Sequence, residues 1–188
     1  MRSKASPMCS ATKLKEMLDA IDGSLAVSES LTAGNVQATI AAVSGASTFF
    51  AGGITAYSID AKASLLSVDY EHASRCHCVS ERVAREMAAG VRNRFDTLVG
   101  LATTGFAESW PEEGIHEPHA WCAVNIGGVV STTKVNGEQR QRVAMQQFVA
   151  EKTIELTIDA LCRIRDSDDV PAHLLETQTK LRSQAAKQ

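Results

Sequence analysis

Residues 25–34 read Leu-Ala-Val-Ser-Glu-Ser-Leu-Thr-Ala-Gly: an apolar run stops abruptly at hydroxyl, carboxylate and small side chains. A buried strand that empties into Ser28, Glu29, Ser30 and Thr32 and then opens a helix places side-chain oxygens and the first unpaired backbone N–H groups at one edge of a sheet. A second stretch repeats the pattern. Leu98–Ala102 is apolar and ends in Thr103-Thr104-Gly105. Two strand ends of this kind point to a polar or anionic small molecule held beyond the carboxyl ends of parallel strands.

Working outward, Leu14, Met17, Leu18 and Ile21 recur at helical spacing and predict a helix over 11–22. Strand 25–27 leads to a helix over 32–43, and the Ser44–Ser47 break leads to an extended run over 49–57 containing Gly52-Gly53. Residues 60–66 predict a short helix. Ser80 is a good N-cap for a longer one in which Val83, Met87, Val91 and Phe95 recur at every fourth position. Runs 121–126 and 129–135, separated by Gly127-Gly128, read as a hairpin, and a last helix is expected over about 138–164. Alternating helices and apolar strands plus one hairpin predict an α/β fold, a three-layer α/β/α sandwich with a mixed, mainly parallel sheet.

With 188 residues and 44% hydrophobic content the chain suffices for one core, expected over 11–165 between a flexible 1–10 and a polar, mobile 166–188 with at most a marginal helix. The 22 acidic and 19 basic residues form no long block of one sign, so neither nucleic acid nor an anionic membrane is an expected partner. Residues 1–7 are basic, but no apolar signal-type run follows them. No stretch approaches the ~18 apolar residues of a membrane span. Five irregularly spaced cysteines read as reduced thiols and, with the rest, predict a cytoplasmic protein. Cys76-His77-Cys78 and His116-Glu117-Pro118-His119 lack metal-ligand spacing; no metal and no cofactor is expected, and chelators should leave activity intact.

Serine needs a base, and the five histidines lie outside both strand-end motifs, which leaves lysine. Lys62 follows Tyr57 by five residues, so a strand end and a first helical turn place a phenol and an ammonium at one edge; an exposed lysine at a helix start is the common alternative.

Ser28-Glu-Ser-Leu-Thr-Ala-Gly34, Ser44-Gly-Ala-Ser47, Gly52-Gly-Ile-Thr-Ala-Tyr-Ser58, Lys62, Leu66-Ser-Val68, Val79-Ser-Glu81, Met87-Ala88, Thr104-Gly105 and Pro118 occur in the order seen in the C-terminal domain of the competence-damage-inducible protein CinA. The chain resembles that family over about residues 11–162. The resemblance implies an amidohydrolase that converts nicotinamide mononucleotide to nicotinate mononucleotide and ammonia. It implies Ser30 as nucleophile, Lys62 as base and Tyr57 as an assisting hydroxyl, with a pyridine nucleotide as partner and a homodimer as a common assembly. An oxyanion would meet N–H groups at the helix start, of Thr32 or Ala33, each worth ~3 kcal/mol. Glu29 and Thr32 flank the nucleophile, Thr104 and Gly105 lie on the phosphoribosyl side, and Arg142 or Arg140 contacts substrate before the last helix. Leu31 and Ala33 depart mildly from the family's Glu-Ser-Cys-Thr-Gly-Gly. Its Thr-Gly-Ile-Ala-Gly-Pro loop reads Thr104-Gly-Phe-Ala-Glu-Ser109 here, which sets Glu108 on the phosphate side at a cost on the order of 1 kcal/mol at ~5 Å. The alternatives are a non-catalytic nucleotide-binding or regulatory member, or a hydrolase for a related non-phosphorylated amide. A Ser30–Lys62 hydrogen bond favours an enzyme; Lys62 paired to Asp60 or Glu29 favours the module.

Overall fold

The computed structural model describes residues 7–187. In chain order the elements are α1 (Pro7–Asp19), β1 (Leu25–Glu29), α2 (Asn35–Ala41), β2 (Phe50–Thr55), α3 (Ile59–Leu66), α4 (Tyr70–Arg75), α5 (Glu81–Phe95), β3 (Val99–Phe106), β4 (His119–Ile126), β5 (Val129–Asn136), α6 (Arg142–Asp166) and α7 (Leu175–Ala185). Five strands form one sheet in the order β2-β1-β3-β4-β5. The β1 strand pairs in parallel with β2 and β3, whereas β3–β4 and β4–β5 are antiparallel. The sheet is therefore mixed: four strands run in one direction, and β4 alone is reversed, which makes two of the four pairings antiparallel. The physical reason is connectivity: no crossover helix lies between β3 and β4, so β4 runs back along its neighbour.

Strand side chains alternate between two helical layers. Leu25, Val27, Leu101 and Val124 pack with α1, α2 and α6; Ala26, Ala102 and Ala123 pack with α3, α4 and α5. The second face is built of small residues, so α5 sits close to it. A Cβ on Gly100 would collide with the Ala88 carbonyl, and Ser28 Oγ donates to the Met87 and Leu101 carbonyls at 3.2 and 3.0 Å. Ser80 caps α5 as its sequence predicts, accepting from Val83 N at 3.1 Å. Gly127 and Gly128 both have positive φ, the requirement of a tight hairpin turn that keeps the twist of β4 and β5.

Two boundaries differ from expectation. Residues 7–10, read as part of a flexible start, belong to α1, while 1–6 lie outside the described residues. Residues 166–188, read as a mobile tail, contain α7, which docks on the end of α6. Its contacts are largely polar: Gln178 Nε2 donates to the Ile164 and Ser167 carbonyls, and Arg182 to those of Arg165 and Ser167, satisfying the orphan C=O groups of α6. Leu174 and Leu181 supply the buried apolar contact. The helix α4 was not anticipated; Asp69 caps it through His72 N at 3.0 Å. Trp121, partly buried, packs against the α5-side core, and the apolar face of α6 is buried within the chain.

Candidate active site

Three parallel strands end side by side. Ser30 N donates to Thr103 O at 3.0 Å and Ala56 N to Glu29 O at 2.9 Å, so the residues leaving β1, β2 and β3 converge on one spot. There Lys62, projecting from α3, places its Nζ 2.9 Å from Ser30 Oγ and 2.8 Å from the Ala56 carbonyl. Lys62 is 1% exposed and Ser30 9%. Burial pushes the Lys62 amine below its ordinary value of 10.5, and the neighbouring Cys78 opposes the shift. Among the described residues no carboxylate pairs with Lys62. The arrangement therefore makes the amine easier to deprotonate than an exposed lysine.

Glu29 does not neutralise this lysine. Its side chain, fully buried, accepts from Gly34 N, Val36 N and Gln37 N at 2.9, 3.2 and 2.8 Å, tying down the first turn of α2. That excludes it from direct substrate contact and makes it a support for the Ser30 turn. Thr32 is equally buried and shares a 2.6 Å hydrogen bond with Thr103 Oγ1. Its side chain is likewise unavailable. Ala33 N donates to Ser30 O, whereas the amides of Leu31 and Thr32 meet no acceptor among the described residues. Gln146 Nε2 holds the Leu31 carbonyl at 2.8 Å, fixing the turn from the α6 side.

A cavity of about 400 Å³ is lined by Leu31, the residue after Ser30, and by Tyr57, Gly105, Glu108, Trp110 and Arg142 among others; Ser30 and Lys62 themselves do not line it. Its volume is within the size range of small-ligand sites. A larger groove of about 490 Å³ between α1 and α7 is lined by no residue of the turn that carries Ser30. Tyr57 is 56% exposed, and its hydroxyl accepts from Arg142 Nη2 at 2.7 Å; it reaches the cavity without touching the Ser30–Lys62 pair. Arg142 Nη1 donates to Glu108 Oε1 at 2.6 Å. Arg140 faces elsewhere: it bonds the Gly137 carbonyl and Glu138 and lies 3.8 Å over the Phe148 ring. Of the two arginines, Arg142 is the one that lines the cavity.

Thr104 Oγ1 donates to the Cys78 carbonyl at 2.6 Å and is buried, so this threonine anchors the Cys78 loop instead of facing the cavity. Gly105 does line the cavity; a Cβ there would collide with the His119 carbonyl and Ala120. Sequence reasoning missed the Ala56 carbonyl, Gln146 and the Cys78 neighbour of Lys62. None carries a local signal, because each acts through a contact made only in the folded chain. His77 stands 3.3 Å from Glu113 and packs edge-on against Trp110, while Cys76 Sγ donates to the His72 carbonyl.

Residues 9–161 match the CinA C-terminal domain. The chain belongs to the CinA C-terminal domain family. Among its relatives a CinA-like protein from Frankia casuarinae is 40% identical over 146 residues, 77% of this chain and 33% of that protein. A CinA-like protein from Gloeobacter violaceus is 38% identical over 136 residues, 70% of this chain and 32% of that protein. The chain thus spans about a third of the length of these curated relatives. A crystal structure of a CinA superfamily protein from Klebsiella pneumoniae superposes with a TM-score of 0.80 at 23% identity, covering 85% of this chain and 99% of that one. The competence or damage-inducible protein of Enterobacter asburiae gives 0.79 at 23% identity, over 84% and 99%. These neighbours share the CinA fold. In the described residues no helix is long and apolar enough to cross a membrane.

Proposed function

We propose that this CinA-family chain is an amidohydrolase that deamidates nicotinamide mononucleotide to nicotinate mononucleotide and ammonia through Ser30 and Lys62. The observation that carries the reading is the 2.9 Å approach of a buried lysine, unpaired with any carboxylate, to a serine at a strand-to-helix turn. A Lys62 held by Asp60 or Glu29 would favour the non-catalytic alternative; the lysine bonds Ser30 and Ala56 instead, which supports the enzyme reading.

The chemistry follows from the geometry. Neutral Lys62 takes the proton of Ser30 Oγ as that oxygen bonds to the carboxamide carbon, and the carbonyl π electrons move onto oxygen. The oxyanion is assigned to the Leu31 and Thr32 amides, because the Ala33 amide is committed to Ser30 O. The Lys62 ammonium then protonates the departing nitrogen, the C–N bond breaks, and ammonia leaves an ester on Ser30. Water attacks this ester as Lys62 takes one of its protons; collapse returns that proton to Ser30 and frees the carboxylic acid, whose remaining proton passes to the released ammonia or to water. Ala56 accepts from Lys62 throughout and fixes the direction of the amine. A cytoplasmic location and a homodimer belong to the same proposal.

The deciding test is ammonia release from nicotinamide mononucleotide by the wild type beside Ser30→Ala. Release by the wild type alone is expected. Equal release by both, or none by either, overturns the reading.

A further inference from the structure

The cation that faces the cavity is already engaged. Arg142 spends one amino group on Glu108 Oε1 at 2.6 Å and the other on the Tyr57 hydroxyl at 2.7 Å, and all three side chains line the same space. Residues 107–110 line one wall, and the segment that runs on from them to 118 contains Glu108, Glu112, Glu113 and Glu117 and no lysine or arginine. Arg140 is turned away onto Phe148 and Glu138. A phosphate entering this cavity meets a guanidinium whose charge is matched by a carboxylate.

We propose that Glu108 is a specificity-determining residue that competes with a ligand's phosphate for the Arg142 guanidinium, so that the site discriminates against phosphorylated amides relative to their unphosphorylated counterparts. The ligand class rests on the amidase reading above. Two geometric features support competition over simple repulsion. The guanidinium fork has a fixed set of donors, and Glu108 and Tyr57 already occupy one on each of its two terminal nitrogens, so a bidentate phosphate has to displace one of them. Glu108 and Arg142 are both solvent-accessible, with side chains 63% and 46% exposed, so the carboxylate is free to swing aside when a stronger acceptor arrives. Selectivity of this kind is a difference of two affinities, built from an element that opposes one ligand.

The pyridinium ring common to nicotinamide mononucleotide and nicotinamide riboside carries a positive charge, which Glu108 attracts equally in both. Removing the carboxylate therefore shifts both affinities by that shared amount and adds a gain for the phosphorylated ligand alone. The ratio of the two affinities isolates the competition.

Calorimetric binding is measured on the full chain carrying Ser30→Ala, which prevents turnover, with and without Glu108→Gln, using nicotinamide mononucleotide, nicotinamide riboside and inorganic phosphate. Glu108→Gln should raise the affinity ratio of mononucleotide to riboside about fivefold and tighten inorganic phosphate by a similar factor. Adding Arg142→Ala should erase both gains. An unchanged ratio, a gain that survives Arg142→Ala, or no binding of mononucleotide and phosphate in every variant overturns the proposal. Failure of the amidase reading is seen separately, as absence of ammonia release by the wild type while the binding ratios still respond to Glu108→Gln.

Discussion

Lys62 Nζ and Ser30 Oγ stand 2.9 Å apart although 32 residues separate them in the chain. The contact exists because β1 and β2 are parallel neighbours, so the segments that follow both strands leave the sheet at the same edge. It also sets a conflict between stability and chemistry: an amine with no counter-ion is held where water is scarce, which costs folding energy and lowers the proton affinity that catalysis needs lowered.

Ser30→Ala and Lys62→Ala should each reduce amide hydrolysis about a thousandfold or more with the far-ultraviolet spectrum unchanged, and the double variant should be no slower than the worse single. Steady-state ammonia release from the three proteins checks this. A double variant far slower than either single would show that the two side chains do not act as one unit.

The kcat/KM profile should rise with pH and level off at a value below 10.5, because the active form carries Lys62 deprotonated and burial lowers its proton affinity. Replacing Lys62 with arginine should remove the limb together with the activity.

Stability should respond to the same group. The folded chain releases the Lys62 proton at a lower pH than the unfolded chain does, so between the lowered folded value and 10.5 the unfolded state binds more protons and stability rises with pH. Lys62→Met should accordingly raise the melting temperature at pH 7 by a few degrees while abolishing turnover, and should flatten the dependence of melting temperature on pH over that window.

Glu29→Gln should destabilise the fold by about 2 kcal/mol, since an amide NH₂ would confront backbone N–H groups that the carboxylate accepts from. Urea denaturation measures the loss. Activity at a temperature where the variant is fully folded should also fall, because the turn carrying Ser30 loses its anchor.

Leu181→Ala should cost about 2–4 kcal/mol, the expense of emptying a fully buried leucine site. A cost within 0.5 kcal/mol of zero would mean that α7 adds nothing to the folded core.

The amino-acid sequence alone determined the local elements and where the chemistry would cluster. The every-fourth-residue apolar spacing over Val83–Phe95, the Ser80 cap, the Gly127-Gly128 hairpin and the two strand ends rich in hydroxyls are local signals, set by helix pitch, strand pleat and positive-φ turns, and the structure contains all of them. Tertiary structure decided which distant groups meet. It placed Lys62 on Ser30, aimed Arg142 at the cavity and Arg140 at Phe148, and gave Glu29 to backbone amides. It also docked α7 through Gln178 and Arg182 on the carbonyls at the end of α6, a largely polar contact with too few apolar residues to show a helical period. The reason is one of range: spacing along the chain encodes contacts within a few residues, whereas strand order and the edge at which each connection leaves the sheet determine contacts across dozens, and no local residue pattern records them.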